Sequence, residues 1–389
     1  MAANAVRIAY ITPSLDDTTG WGRWANDFLR HIRDAGVEPV VLAPPSSQKF
    51  WPSGAGEAHF VLPELFDYVQ SLSGVQRLLA GRNVWAACRG LRDLRMVHSL
   101  DAHPWGIYGD WISRTHRVPH VLTTHGRYGY IAENRLVDRA IYARVLRRAA
   151  AMIVVSSAVG KAVTRAFRRD LDPARLAVLQ NPVDESQFGA IGALPKEVSS
   201  SGPVIVSVTR FIPVKDIETA VRAFRLVREQ VPQAEYFIVG PGNGENNAYH
   251  RSIRDLIARE SIAGVHIVGR VSKEVLAAFY KRASILVHTA RTLPDDFEAS
   301  GLILLEAGLM GVPAVATASG GIPEVVEDGV TGRLVPEGDV AALGRSVVEL
   351  LKNPEELRRL GAGNRARALQ RNWPAYCAEQ LRFYQRVIH

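Results

Sequence analysis

The sequence predicts an α/β protein built from two doubly wound parallel sheets, and three observations carry that prediction. Short apolar runs alternate with amphipathic helical segments from end to end, which is how strands buried on both faces and joined by crossover helices look. A break rich in Gly, Ser and Pro follows Asn181-Pro-Val-Asp184 and divides the series in two. The length of 389 residues exceeds one typical core and suffices for two.

In the first series, residues 6–12 read as a buried strand and 23–35 as an amphipathic helix that Gly36 ends. Residues 39–43, 96–100, 118–123 and 152–156 read as further strands with helices between them. Residues 185–202 lack periodicity and read as a linker or surface loop. The second series has strands at 204–208, 236–239, 266–268, 285–287 and 314–316. The tail, from residue 373, is an amphipathic helix carrying Tyr376, Phe383 and Tyr384. The expected domains are therefore 1–184 and 203–372. Ligands of such sheets bind beyond the carboxyl ends of the strands, so the space between two facing domains is the expected active site.

Composition narrows the class. A hydrophobic fraction of 47% with 22% charge describes a globular chain. Cys88 and Cys377 are the two cysteines, without metal-ligand spacing, so neither a disulfide framework nor a zinc site is implied and a reducing, cytoplasmic compartment is expected. The first residues carry no basic region before an apolar segment, so no signal peptide is expected, and no apolar run reaches about 20 residues. The net charge of +8 gathers on residues 135–169, with Arg135, Arg139, Arg144, Arg147, Arg148, Lys161, Arg165, Arg168 and Arg169 on two expected helices. A solvated surface is one reading of these helices; electrostatic docking to an anionic membrane surface, or to an acidic acceptor, is the other. Nucleic acid is not expected as a partner, because no interleaved aromatic motif accompanies the arginines.

The chemistry concentrates in residues 297–326, FEASGLILLEAGLMGVPAVATASGGIPEVV. Glu298 and Glu306 stand eight positions apart. On one continuous helix they would point roughly 80° away from each other. The small residues Ala299, Ser300 and Gly301 suggest instead a loop holding Glu298, a cap at Ser300 and Glu306 inside a helix. The exposed amides of such a helix tip bind anions, while carboxylates on either side accept hydrogen bonds from sugar hydroxyls. Upstream, Arg210 and Lys215 follow the strand at 204–208, and two cations at that offset can both reach a pyrophosphate. A surface pair of Lys215 with Glu218 is the plainer alternative. A glycine-rich turn at 238–244, with Gly240, fails the dinucleotide pattern Gly-x-Gly-x-x-Gly, which disfavours an NAD-dependent oxidoreductase.

These motifs resemble the donor-site signature of retaining glycosyltransferases of family 4, which have the two-domain GT-B fold. The likeness is strongest over residues 203–340. The family has Glu-Gly-Phe-Gly where this chain has Glu298-Ala299-Ser300-Gly301. The resemblance implies two Rossmann-like domains, with the terminal helix returning to the first. It implies transfer of a sugar from a nucleoside-diphosphate sugar to a glycan, lipid-linked or small-molecule hydroxyl, with retention and without a metal or other cofactor. Arg210 and Lys215 would hold the diphosphate with the amides of Ser300, Gly301 and Leu302; Glu306 would hold the ribose and Glu298 the sugar. Gly240, Arg270 and Val271 would line the nucleotide side. In the first domain, Gly20 and Gly22 resemble the family's glycine loop, with Thr19 where its first glycine stands. His125 closes the strand Val-Leu-Thr-Thr-His and matches a family histidine in Thr-x-His context, expected to bond a sugar hydroxyl; a structural histidine is the alternative. His98 and His103 are further acceptor-side candidates. Asp295-Asp296 reads as a solvated loop rather than a metal pair. A sugar-nucleotide 2-epimerase, or another GT-B enzyme without a glycosyl acceptor, is the alternative activity.

Overall fold

In a computed structural model of the chain, residues 6–16, 20–64, 74–130, 136–195, 198, 202–241 and 247–388 are described. Thr18, Thr19, Arg135 and the 242–244 part of the glycine-rich turn lie outside them. The chain divides into two compact units, Met1–Gln180 with Trp373–His389, and Asn181–Asn372.

The first unit is built on a parallel sheet of seven strands: β1 Val6–Ile11, β2 Val37–Ala43, β3 Glu57–Phe60, β4 Met96–Ser99, β5 His120–Thr124, β6 Ala151–Val154 and β7 Leu176–Val178. Their order is β3-β2-β1-β4-β5-β6-β7, so the winding reverses between β1 and β4. Alternation places Ile8 and Tyr10 in one core and Ala9 and Ile11 in the other, as a sheet covered on both faces requires. The helix Gly20–Asp34 covers one face through Trp24, Ala25, Phe28, Leu29 and Ile32, and Gly36 follows it at φ 95°. The last helix, Trp373–Ile388, belongs to this unit. Its Trp373, Tyr376, Phe383 and Tyr384 pack in the same cluster as Tyr10 and Phe28.

The second unit repeats the plan with β8 Val204–Val208, β9 Glu235–Val239, β10 Val265–Gly269, β11 Ile285–His288, β12 Ala314–Thr317 and β13 Gly332–Val335. Their order is β10-β9-β8-β11-β12-β13, again all parallel, reversing between β8 and β11. The expected linker proves to be partly core: Phe188 and Val198 pack with Val204, Val206 and Phe237, joined by Val183 just ahead of it, and the Val183 amide donates to the Arg371 carbonyl at 2.7 Å. Three strands absent from the sequence reading, β3, β7 and β13, lie at sheet edges, where short and half-exposed strands lose the apolar run that marks a central strand. No helix of the described residues is long and apolar enough to cross a membrane.

Candidate active site

At the carboxyl edge of the second sheet the loops are tied to one another. After β8 the chain passes through Arg210 into a 3-10 turn, Pro213–Lys215. The end of β11 holds that turn. The Thr289 hydroxyl donates to the carbonyls of Lys215 and Asp216 at 3.2 and 3.0 Å, and the Arg291 amide donates to the Val214 carbonyl at 3.0 Å. Asp216 is fully buried in the left-handed region at φ 43°. It pairs with the Arg291 guanidinium and accepts from the Thr219 hydroxyl at 2.8 Å.

Glu298 meets this turn from 83 residues away. One oxygen, Oε2, pairs with Lys215 Nζ and lies 3.0 Å from His288 Nε2; the other, Oε1, accepts the Gly301 amide at 3.3 Å. The Lys215 and Glu298 side chains are only 15% and 12% exposed. Burial pushes the Glu298 pKa up, but the Lys215 charge and the His288 hydrogen bond overturn that and hold it well below the usual carboxylate range. Burial dominates at His288 and lowers its pKa despite Glu298, so a neutral ring donates to the carboxylate. Lys215 therefore pairs with Glu298 and not with Glu218, which accepts from the Tyr249 hydroxyl instead. The Gly-Gly pair holds the Glu298 loop from below. The Gly321 amide donates to the Glu298 carbonyl at 2.8 Å, and a Cβ at Gly320, at φ 51°, would overlap that carbonyl.

Ser300 does not cap the following helix. Gly301 stands at the N-cap of Leu302–Leu309 in the left-handed region (φ 60°, ψ 41°), and no side chain bonds the first turn. Glycine adopts that conformation without strain, while the Ser300 hydroxyl accepts from Asn181 Nδ2 at 3.5 Å. The Gly301 amide is held by Glu298 Oε1, while no side chain caps the first turn that follows it. Glu306 lies within the helix and accepts the hydroxyl of fully buried Tyr280 at 2.9 Å.

The remaining residues stand at neighbouring strand ends. Arg210 is exposed and its guanidinium makes no ion pair among the described residues. Gly240, at φ 152°, packs on Thr209, whose carbonyl a Cβ would overlap, and its amide donates to the Gly269 carbonyl at 2.8 Å. Gly240 thus joins the ends of β8, β9 and β10, ahead of Arg270 and Val271. Among the described residues, no group of three or more His, Cys, Asp or Glu side chains is placed to hold a metal; the Asp296 carboxylate accepts the Phe297 amide at 3.0 Å.

A profile of the family described as Glycosyl transferases group 1 matches residues 195–367, and one of Glycosyltransferase Family 4 matches residues 18–187. The chain is a GT-B glycosyltransferase of the family 4 type. An uncharacterized glycosyltransferase of Methanocaldococcus jannaschii is 21% identical over 306 residues, 79% of each chain. A GDP-mannose-dependent alpha-(1-6)-phosphatidylinositol monomannoside mannosyltransferase of Mycolicibacterium smegmatis is 34% identical over 174 residues, 44% of each chain. The fold is shared with the crystal structure of Anabaena HepE in complex with UDP and glucose, at a TM-score of 0.75 and 18% identity over 98% of this chain and 100% of that one.

In the first unit of the glycosyltransferase, His125 follows β5 with its ring edge-on to Trp24 at 4.3 Å between centroids. Although the residue is partly exposed, its Nε2 is sealed and has no hydrogen-bond partner among the described residues. Burial lowers its pKa to about 4, against a hydrogen bond to the Leu100 backbone that raises it. Gly20 opens the helix Gly20–Asp34 with free space around it, whereas a Cβ at Gly22 would overlap the Asp16 backbone. Gly22 therefore serves a close approach within its own loop. His98 is not an acceptor-facing group: its Nδ1 lies 2.6 Å from the Tyr384 hydroxyl and its Nε2 2.7 Å from Thr123 Oγ1, fastening the last helix to β4. His103 is nearly buried and lies edge-on to Tyr142 at 5.3 Å.

Proposed function

We propose that this glycosyltransferase moves a hexose from a nucleoside-diphosphate sugar to an acceptor hydroxyl with retention of anomeric configuration. The observation that carries the reading is the Lys215–Glu298 pair at the uncapped tip of Leu302–Leu309. A cation and a helix N-terminus at one sheet edge form an anion site. The incoming diphosphate takes both Lys215 and the Gly301 amide from Glu298 and recruits Arg210, with the Leu302 amide completing the site. Negative charge growing on the leaving group then meets groups already in place, where removing one contact costs roughly 10²–10³ in rate.

Glu306, held by Tyr280, accepts the ribose hydroxyls, and Glu298, released from Lys215, orients the sugar. The departing phosphate oxygen takes the acceptor proton on the same face, so no enzymatic nucleophile is used. Two cations suffice to neutralise the diphosphate, and turnover is expected to survive EDTA. The mannosyltransferase relative, named for GDP-mannose, and the HepE complex with UDP and glucose support a nucleotide-sugar donor and leave the base open between guanine and uracil. Two buried unpaired thiols support a cytoplasmic location.

The test is turnover with GDP-mannose and UDP-glucose, with the product anomer read by NMR. A retained anomer, and nucleoside-diphosphate affinity lost in Glu306→Ala, are expected. An inverted anomer refutes the mechanism, and epimer formed from donor alone selects the 2-epimerase.

A further inference from the structure

The helix Leu136–Arg148 has an outer face that its own unit leaves uncovered. Its inner face, with Tyr142, Val145 and Leu146, is buried. On the outer face Leu136 is 87% exposed, Val137 68% and Ile141 40%, three large apolar side chains within two turns. Positions 137, 141, 144 and 148 form one stripe, so the apolar end continues into Arg144 and Arg148. Arg144 stands about 10 Å along the axis from Val137.

A second helix, Ser157–Ala166, lies beside the first. The Arg139 guanidinium sits 5.3 Å from the Phe167 ring centre and donates to the Ala166 carbonyl at 3.1 Å, and Arg147 pairs with Asp170. Lys161 and Arg165 of this neighbour, and Arg168 and Arg169 just beyond its end, are exposed, and none of them, nor Arg144, has an ion pair among the described residues. The nearby carboxylates are already used: Asp170 by Arg147, and Asp110 by Arg114 and Arg148. The surface is therefore an apolar tip backed by five uncompensated cations.

We propose that this face docks the enzyme on an anionic lipid bilayer. Leu136, Val137 and Ile141 enter the headgroup and acyl boundary, where interfacial helices sit about 5–10 Å deep. Arg144 then falls at the level of the phosphates, and Lys161, Arg165, Arg168 and Arg169 face the surface charge. Charge complementarity chooses the occupant: five unpaired cations around an apolar tip match an anionic interface, whereas a second copy would set cation against cation.

The experiment is flotation of the full chain with vesicles of phosphatidylcholine alone, or of phosphatidylcholine and phosphatidylglycerol in equal parts. Binding is expected to the anionic vesicles and to weaken as salt rises. Arg144→Gln, Arg165→Gln and Arg168→Gln should each weaken it about fivefold, the equivalent of about 1 kcal/mol per basic side chain near such a surface. Leu136→Ser with Ile141→Ser should also weaken it while the circular dichroism spectrum stays unchanged, since both side chains are exposed. Equal binding to neutral vesicles, binding that these variants leave intact, or no binding together with self-association that Leu136→Ser abolishes would each overturn the proposal.

Discussion

The carboxyl edges of the two sheets solve the same topological problem with opposite electrostatics. In the first unit the polar groups are kept neutral. Burial lowers the pKa of His125, just past β5, to about 4, holds that of His98 well below its ordinary value, and raises that of Asp101, whose Oδ2 is buried without a partner among the described residues; at the opposite end of β5 it lowers that of His120 to about 3. In the second unit they are kept charged and paired, Lys215 with Glu298 and Arg291 with Asp216. Neutral donors and acceptors suit hydroxyls, and fixed charges suit a diphosphate. The second edge thus carries the chemistry that an anion needs.

The largest effect expected from breaking this contrast is at Lys215. Lys215→Ala removes the proposed phosphate contact and also strands Glu298 beside His288. Turnover should fall by roughly 10²–10³, and stability by about 3 kcal/mol, because one partner of a poorly exposed pair is left uncompensated. Steady-state kinetics and thermal denaturation check the two halves, and unaltered kinetics would remove Lys215 from the site.

Acid should then separate the units. The unfolded chain binds protons on His120 and His125 below the ordinary value of 6.5, while the fold refuses them until about 3 and about 4. Their contribution is full above pH 6.5 and is lost as pH falls below it, at about 2 kcal/mol by pH 5 for His120 alone. Asp101 has the opposite sign, and His288 adds one histidine of the same sign to the second unit. All seven tryptophans lie in the first unit, so urea unfolding followed by tryptophan fluorescence isolates it. A midpoint unchanged between pH 7 and 5 would contradict the neutral state of these buried histidines.

Much of this contrast was legible in the residues themselves. Arg210, Lys215, Glu298 and Glu306 announce themselves by charge at fixed offsets from apolar strands. His288, Thr289, Asp216 and Arg291 did not, because a histidine ending Ile-Leu-Val-His reads as core and the Asp216–Arg291 pair spans 75 residues. Local propensity favoured Ser300 as the helix cap; the structure uses Gly301, since the turn needs a left-handed residue and Glu298 already holds its amide. The burial of residues 188 and 198 does not show in the sequence, because Phe188 and Val198 are isolated apolar residues whose burial depends on partners far along the chain.

Smaller substitutions sharpen the comparison. Gly22→Ala should destabilise by about 1–3 kcal/mol, through overlap with the Asp16 backbone, whereas Gly20→Ala should stay within about 0.5 kcal/mol. Denaturant titration followed by tryptophan fluorescence distinguishes them. Tyr280→Phe deletes the hydrogen bond to Glu306 and should weaken nucleoside-diphosphate binding about tenfold, measured by calorimetric titration; equal affinity would show that Glu306 needs no support from Tyr280.

The most direct measurement is a crystal structure of the enzyme with a nucleoside diphosphate bound. Phosphate oxygens are expected on Lys215 Nζ, on the Arg210 guanidinium and on the amides of Gly301 and Leu302, with the Lys215–Glu298 pair and the Gly301–Glu298 hydrogen bond both opened. Phosphates bound elsewhere, with that pair still closed, would contradict it.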